Sequence, residues 1–251
     1  MVREAVILAA GVGSRLRLVS NGYPKFLVRI GGYALITYPV RVLKSLGVRR
    51  FNVVIPKGWG RELEEVLNPL GIEYCYVENE WQERENGYSF LLSRECVREY
   101  PIFISMTDHI YVPEVPLKLL HTYRKYVVDT VVAADSRPKY VDVGEATKVL
   151  TDEFGYVIDV GKGLKKFTHV DAGVFLTNEL LHEVAEELSR RGYVIRFADV
   201  VKEASKVGRV VVADISGLPW VEVDTKYDYE EVIHGFKKEV LEEVMRVVGY
   251  S

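Results

Sequence analysis

Apolar residues run unbroken from position 5 to position 10, as Ala-Val-Ile-Leu-Ala-Ala, and stop at a glycine-rich turn. A strand buried on both faces of a sheet reads this way, because neither side calls for polar residues. Beyond the turn, apolar positions recur at helical spacing over residues 35–46 and end at Gly47, a helix with a glycine stop. The alternation then repeats as strand 51–55, helix 59–70, strand 72–77, helix 88–98 and strand 101–106. Three successive crossovers predict an α/β fold, a Rossmann-like three-layer arrangement with a mixed, mostly parallel sheet between helices.

From residue 130 the pattern changes. Strand 130–134 is followed by two short apolar segments, 146–150 and 156–160. They flank Asp152-Glu153-Phe154-Gly155, which predicts a hairpin. A strand over 170–177, a helix over 178–191 opened by Asn178 and ended by Gly192, and a strand over 209–213 follow. An amphipathic helix over 229–248 ends the series. Neither an internal repeat nor a low-complexity linker interrupts the chain. The simplest division is therefore one domain over 1–251, with an N-terminal half to about 135, a second half over 136–228 carrying a small β subregion, and a C-terminal helix over 229–251.

Composition adds little to this outline and removes several alternatives. The 251 residues are 48% apolar and 27% charged, with a net charge of −3, which is ordinary for a globular protein with a full core. Acids and bases are mixed along the whole length, so a nucleic-acid platform is not expected. An anionic substrate would have to be met by local positive groups. Neither a signal peptide nor an apolar stretch near the roughly 20 residues of a membrane span is found, and the expectation is a cytoplasmic protein. Cys75 and Cys96 each lie in an apolar segment; they read as buried thiols in a reducing compartment, pairing only if the fold brings them together. Gln82 is the sole glutamine among many Glu, Lys and Arg, a profile that leans toward a heat-adapted source.

Candidate chemistry begins directly after the first strand, at Leu8-Ala9-Ala10-Gly11-Val12-Gly13-Ser14-Arg15-Leu16. Gly11 and Gly13 permit torsions and close approach that a β-carbon would block. Successive amides of such a turn can cradle phosphate oxygens, and Arg15 adds a planar cationic fork. Lys25, set after Pro24, could reach the same phosphates. A dinucleotide site would want glycine where Leu16 stands, and a P-loop would close with Gly-Lys-Ser or Gly-Lys-Thr, which is absent. A plain glycine turn between strand and helix is the remaining alternative. Asp108 follows the strand over 101–106, and Asp224 ends another short apolar segment. Carboxylates at strand ends suit a metal that neutralises phosphate charge, though either aspartate alone could equally be a cap or a turn residue.

The stretch from Leu8 to Leu16, with Pro24-Lys25, resembles the signature of the sugar-nucleotide pyrophosphorylase superfamily, the MobA-like nucleotidyltransferases. The resemblance implies a glycine loop around a nucleoside triphosphate through Leu8, Ala9, Ala10, Gly11, Gly13 and Ser14. It places Arg15 against the β- and γ-phosphates and Lys25 at the α-phosphate. It also implies Mg2+ on Asp108 and on Asp224, the latter in an acid-x-Asp-Thr-x-x-Asp pattern completed by Asp228. Glu222 then supports this metal site from behind, Asp228 caps the last helix, and His109 is a structural or supporting group. A general base has no task here, since an acceptor phosphate is already ionised.

Weaker patches are similar to one branch, the CTP:inositol-1-phosphate cytidylyltransferases. Asn86, Gly87 and Ser89 lie where that branch contacts the nucleoside, although Asn86 and Ser89 also suit helix capping. Lys148 and Lys162 become candidates for the acceptor phosphate and Asp171 for ring hydroxyls; without the resemblance the lysines read as solvated surface charges. Many members of the branch are fused to a membrane-embedded phosphotransferase, and ending at Ser251 this chain is expected to be a stand-alone form. The expectation is CMP transfer from CTP to inositol 1-phosphate, releasing pyrophosphate, with a homodimer as a candidate assembly. The rivals are the same chemistry on phosphocholine or a sugar 1-phosphate with CTP, UTP, dTTP or GTP, and a non-catalytic nucleotide-sensing subunit.

Overall fold

A computed structural model describes residues 2–11 and 13–249; Val12 of the glycine turn and the last two residues of the tail lie outside the described residues. The chain begins β1 (Glu4–Leu8), α1 (Arg17–Ser20), β2 (Arg29–Ile30), β3 (Tyr33–Ala34), α2 (Thr37–Ser45), β4 (Arg50–Pro56), α3 (Gly60–Leu67). It continues β5 (Glu73–Asn79), α4 (Asn86–Leu92), β6 (Ile102–Met106), β7 (His109–Tyr111), α5 (Glu114–Lys125), β8 (Thr130–Asp135). Next come β9 (Lys148–Thr151), β10 (Val157–Gly161), β11 (His169–Thr177), α6 (Leu180–Arg191) and α7 (Phe197–Val207). The last elements are β12 (Val210–Asp214), β13 (Trp220–Glu222), α8 (Lys226–Ile233) and α9 (Lys238–Val248).

The central sheet runs β10-β9-β11-β6-β1-β4-β5, with β8 also beside β11 and β12 beside β8. The pairings make β1, β4, β5, β6, β8, β9 and β12 run one way and only β10 and β11 the other. The unbroken apolar run of β1 is explained by its central place. Ala5 and Ile7 pack into one apolar cluster, and Val6 and Leu8 into the cluster on the opposite face. Both halves of the expected architecture, the mostly parallel sheet and the small hairpin region (β9 antiparallel to β10), are present.

Three local expectations change. The tail is two helices, because the buried Lys237 turns back to Asp228 at 2.7 Å and residues 234–237 break the axis. Two helices, α5 and α7, occupy segments in which the pattern suggested none. In α7 the buried Phe197, Val200, Val201 and Ala204 do recur at helical spacing, whereas α5 buries only Val115, Pro116 and Leu119 and offers a fainter signal. Finally, Cys75 in β5 and Cys96 after α4 are joined as a disulfide rather than standing as separate thiols. Their spacing of 21 positions carries no information about distance in space.

Helix α6 is pinned to α4 by a buried imidazole. His182 Nδ1 accepts from the Tyr100 hydroxyl at 2.8 Å, and Nε2 donates to the Phe90 carbonyl at 3.1 Å. The ring stacks on Phe90 with centroids 4.0 Å apart. Burial pushes the His182 pKa down to about 4, against an ordinary value of 6.5. The unfolded chain therefore takes up this proton first as pH falls. The stabilisation is complete above pH 6.5 and is lost toward pH 4, worth about 3 kcal/mol across that window. Thermal melts are expected to drop between pH 6.5 and 4.5 in the parent and to be flatter in His182→Gln. Equal slopes in the two proteins would show that this ring does not titrate on unfolding.

Candidate active site

A two-stranded ribbon outside the main sheet assembles the site. β7 and β13 pair antiparallel, with Trp220 opposite Tyr111 and Glu222 opposite His109. The ladder extends one step further through the Val223 amide, which donates to the Asp108 carbonyl at 2.9 Å. Asp108, just before one strand, and Asp224, just after the other, are thereby set side by side although they are far apart in sequence. Below them the end of β1 is fixed by Thr107 donating to the Leu8 carbonyl at 3.2 Å and Ala9 donating to Val54 at 2.8 Å.

The glycine turn then passes over Lys25. Gly13 has φ +58°, and a β-carbon there would lie 2.9 Å from the Lys25 Cβ, so this position needs glycine for both reasons. Gly11 differs from the expectation: its φ is not positive and a β-carbon would meet nothing within 4 Å. Only a ligand close against that backbone would require glycine there. Lys25 is buried, and its Nζ donates to Asp108 Oδ2 at 2.5 Å and to Asp224 Oδ1 at 2.6 Å. Arg15 donates to Asp224 and, at 3.5 Å, to Glu145 in the loop before β9.

Charge is concentrated and partly hidden here. Burial alone would raise the Asp108 pKa, but Lys25 and the hydrogen-bonded His109 outweigh it and hold the carboxyl far below the usual range. The His109 imidazole is disfavoured as a cation by burial, yet the Asp108 charge at 2.7 Å prevails, with Glu222 and Asp171 adding to it, and its pKa rises. Asp171 is pushed up to about 6, by burial first and then by Glu222 and Asp108, against the opposing Gly173 amide and His109.

One carboxylate oxygen from each of Asp108, Glu222 and Asp224 lies within 4.8 Å of the other two. Three carboxylates are the donor set that hard divalent cations take. The place between two of them already accommodates a positive charge, the Lys25 ammonium, so the residues present fit a cation. Glu222, expected to stand behind the metal site, offers an oxygen in the same cluster.

The remaining expected residues divide. Leu8, Ala9 and Ala10 are buried beneath the turn, while Ser14 and Arg15 are exposed on it. Asn86 Oδ1 accepts from the Phe197 amide at 2.8 Å and so caps α7. Gly87 donates to the Ile195 carbonyl at 2.9 Å, which a β-carbon would approach to 2.7 Å. Ser89 is buried and accepts from Asn79 at 2.9 Å. All three have internal partners. Lys148 is buried and donates to the carbonyls of Lys162 (2.9 Å) and Gly144 (3.3 Å), whereas the Lys162 side chain is exposed.

A cavity of about 400 Å³ adjoins the glycine turn, lined by Gly11, Gly13, Tyr23, Pro24, Trp59 and Gln82 among others. The Tyr23 and Trp59 rings stand 5.7 Å apart. The sequence offered no signal for Trp59 or Gln82 as site residues, since each is an isolated position beside a helix start. A larger apolar groove of about 900 Å³, between α5, β12 and the turn of the hairpin, shares no residue with the carboxylate cluster.

The sequence profile of the MobA-like NTP transferase domain matches residues 5–213. A bifunctional IPC transferase and DIPP synthase of Archaeoglobus fulgidus is 35% identical over 225 residues, covering 90% of this chain and 42% of that protein. The protein of the same name from Aquifex aeolicus is 31% identical, over 99% of this chain and 54% of its own length. The chain thus spans about half the length of these relatives. Among solved structures, the inositol-1-phosphate CTP transferase from T. maritima superposes with a TM-score of 0.87 at 31% identity, over 97% of this chain and 96% of that one.

Proposed function

The chain belongs to the MobA-like NTP transferase family, and we propose that it transfers CMP from CTP to inositol 1-phosphate, releasing pyrophosphate. The observation that carries this reading is the Lys25 ammonium held between Asp108 and Asp224 at the mouth of the glycine turn. The glycine turn, a cation and paired carboxylates lie together there, and amides of such a turn can bind anions, which is the set that nucleotidyl transfer from a triphosphate needs. The relatives' names, IPC transferase and inositol-1-phosphate CTP transferase, favour CTP and an inositol phosphate over other pairs.

Arg15 and Lys25 are both paired with carboxylates. When the triphosphate enters, Arg15 and Lys25 exchange carboxylate oxygens for phosphate oxygens, Arg15 toward the tail and Lys25 at the α-phosphate. The amides around Gly11 and Gly13 hold the β- and γ-phosphates in place. Mg2+, held by Asp108, Glu222 and Asp224, would supply Lewis-acid neutralisation of phosphate charge. An oxygen of the acceptor phosphate then forms a bond to the α-phosphorus, and the bond to the bridging oxygen breaks in line. The electron pair leaves with pyrophosphate and no proton moves, so His109, occupied with Asp108, is not needed as a base.

On the acceptor side Lys148 is the stronger candidate for the phosphate. Its only hydrogen-bond partners among the described residues are neutral carbonyls, so a buried ammonium is left without a counter-charge, and a phosphate would supply one. Lys162 would approach from the solvent side, and Asp171 would accept from ring hydroxyls. None of the helices among the described residues is long and apolar enough to cross a membrane, and both substrates are water-soluble.

Pyrophosphate release measured across CTP, UTP, dTTP and GTP, each with inositol 1-phosphate, glucose 1-phosphate or phosphocholine, tests the assignment. CTP with inositol 1-phosphate is expected to exceed every other pair by at least about tenfold, the discrimination of roughly one well-placed polar contact. A higher rate with another pair would reassign the substrates. Silence with all twelve would favour the non-catalytic reading.

A further inference from the structure

We propose that Asp135 and Trp220 are positioning residues of the cation site, a buried pair that sets how Asp108 presents its carboxylate. Asp135 closes β8 and is 2% exposed. Its Oδ1 accepts from the Arg137 amide and its Oδ2 from the Trp220 indole Nε1, both at 2.8 Å. The indole, also 2% exposed, is therefore fixed at its edge as well as by packing. A buried carboxylate that, among the described residues, serves one turn amide and one indole is a costly way to hold a tryptophan, unless the indole's orientation matters.

The other face of that indole lies along His109, parallel within 5° and offset, with centroids 5.9 Å apart. The imidazole is also confined by Gly173, which has φ +68° and where a β-carbon would come within 2.8 Å of the imidazole Cε1 and Nε2. Asp171 Oδ1 in turn accepts from the Gly173 amide at 2.8 Å and secures that turn. The ring is thus gripped between an anchored indole and bare backbone. Its Nδ1 meets Asp108 Oδ1 at 2.7 Å, which leaves Oδ2 to face the cation, here the ammonium of Lys25 at 2.5 Å. One oxygen of Asp108 is used for orientation and the other for binding. Groups that orient a ligand from behind are worth about 10–100-fold in metal affinity.

The inference rests on the reading that Asp108 holds a divalent cation, and the test separates the two. Mn2+ binding in the presence of saturating CTP is followed by electron paramagnetic resonance, alongside thermal melts and steady-state kinetics. Trp220→Ala is expected to weaken Mn2+ binding about 10–100-fold and to lower kcat while leaving KM for inositol 1-phosphate within about threefold. Trp220→Phe, which keeps a stacked wall without the Nε1 anchor, restores part of the affinity. A lower melting temperature with Mn2+ affinity unchanged would make Trp220 a packing residue only and overturn the proposal. If Trp220→Ala does not fold, unchanged affinity in both Trp220→Phe and Asp135→Asn overturns it equally. Mn2+ binding that survives Asp108→Asn would overturn the reading of the cation site itself, and the proposal with it.

Discussion

Replacing Asp108 with asparagine is expected to lower the rate of pyrophosphate release by about 10²–10⁴-fold while the protein stays folded. Asparagine keeps the shape and an oxygen for His109 but removes the charge shared with Lys25 and with a bound cation. A metal acting on a phosphoryl oxygen supplies several kcal/mol of transition-state stabilisation, and each 1.4 kcal/mol is about tenfold in rate. The fold should survive, because the backbone of residue 108 is held by the Val223 amide and Lys25 retains Asp224 at 2.6 Å. The measurement is steady-state turnover at saturating CTP beside a thermal melt. A variant within a few-fold of the parent rate would remove Asp108 from the cation site and with it the core of the proposed function.

How much of this site the sequence disclosed depends on how local each signal is. The β1 run, the glycine turn and Pro24-Lys25 lie within about twenty positions, and their chemistry is written in consecutive residues. Read locally, Asp108 and Asp224 are separate strand-end carboxylates; the resemblance implies Mg2+ on both, and the local pattern does not show their adjacency. It is produced by β7 and β13, strands of three residues each, too short for any period to register. The same limit hid Trp59, Gln82 and the role of Trp220, single residues whose meaning comes from the walls they stand in. Asn86 and Ser89 show the converse. Read locally, each suits a cap or a base contact; in the fold each meets a partner from another segment, Phe197 for one and Asn79 for the other, which no local pattern announces.

Lys25→Met is expected to change two quantities in opposite directions. The ammonium donates to both aspartates and is only 5% exposed, so it neutralises the carboxylates that a cation would use. Methionine preserves the buried stem against Gly13 and removes the charge. Asp108 and Asp224 then face each other without that neutralising ammonium, a state that recruits a cation from solution. Nucleotide-free Mn2+ binding should therefore tighten relative to the parent, by about tenfold or more if half of an ion pair's several-kcal/mol coupling is recovered. Turnover should fall about 10²–10³-fold, the usual consequence of losing one donor aimed at transition-state charge. The affinity for CTP itself should change much less, since the glycine-turn amides and Arg15 still hold the tail. Tighter metal binding together with slower turnover is the signature of a lysine that guards the cation site in the resting protein and serves the α-phosphate during transfer. Were both the metal affinity and the rate to fall together, Lys25 would be a scaffold for the two aspartates and nothing more, and the exchange of partners proposed for nucleotide entry would have to be abandoned.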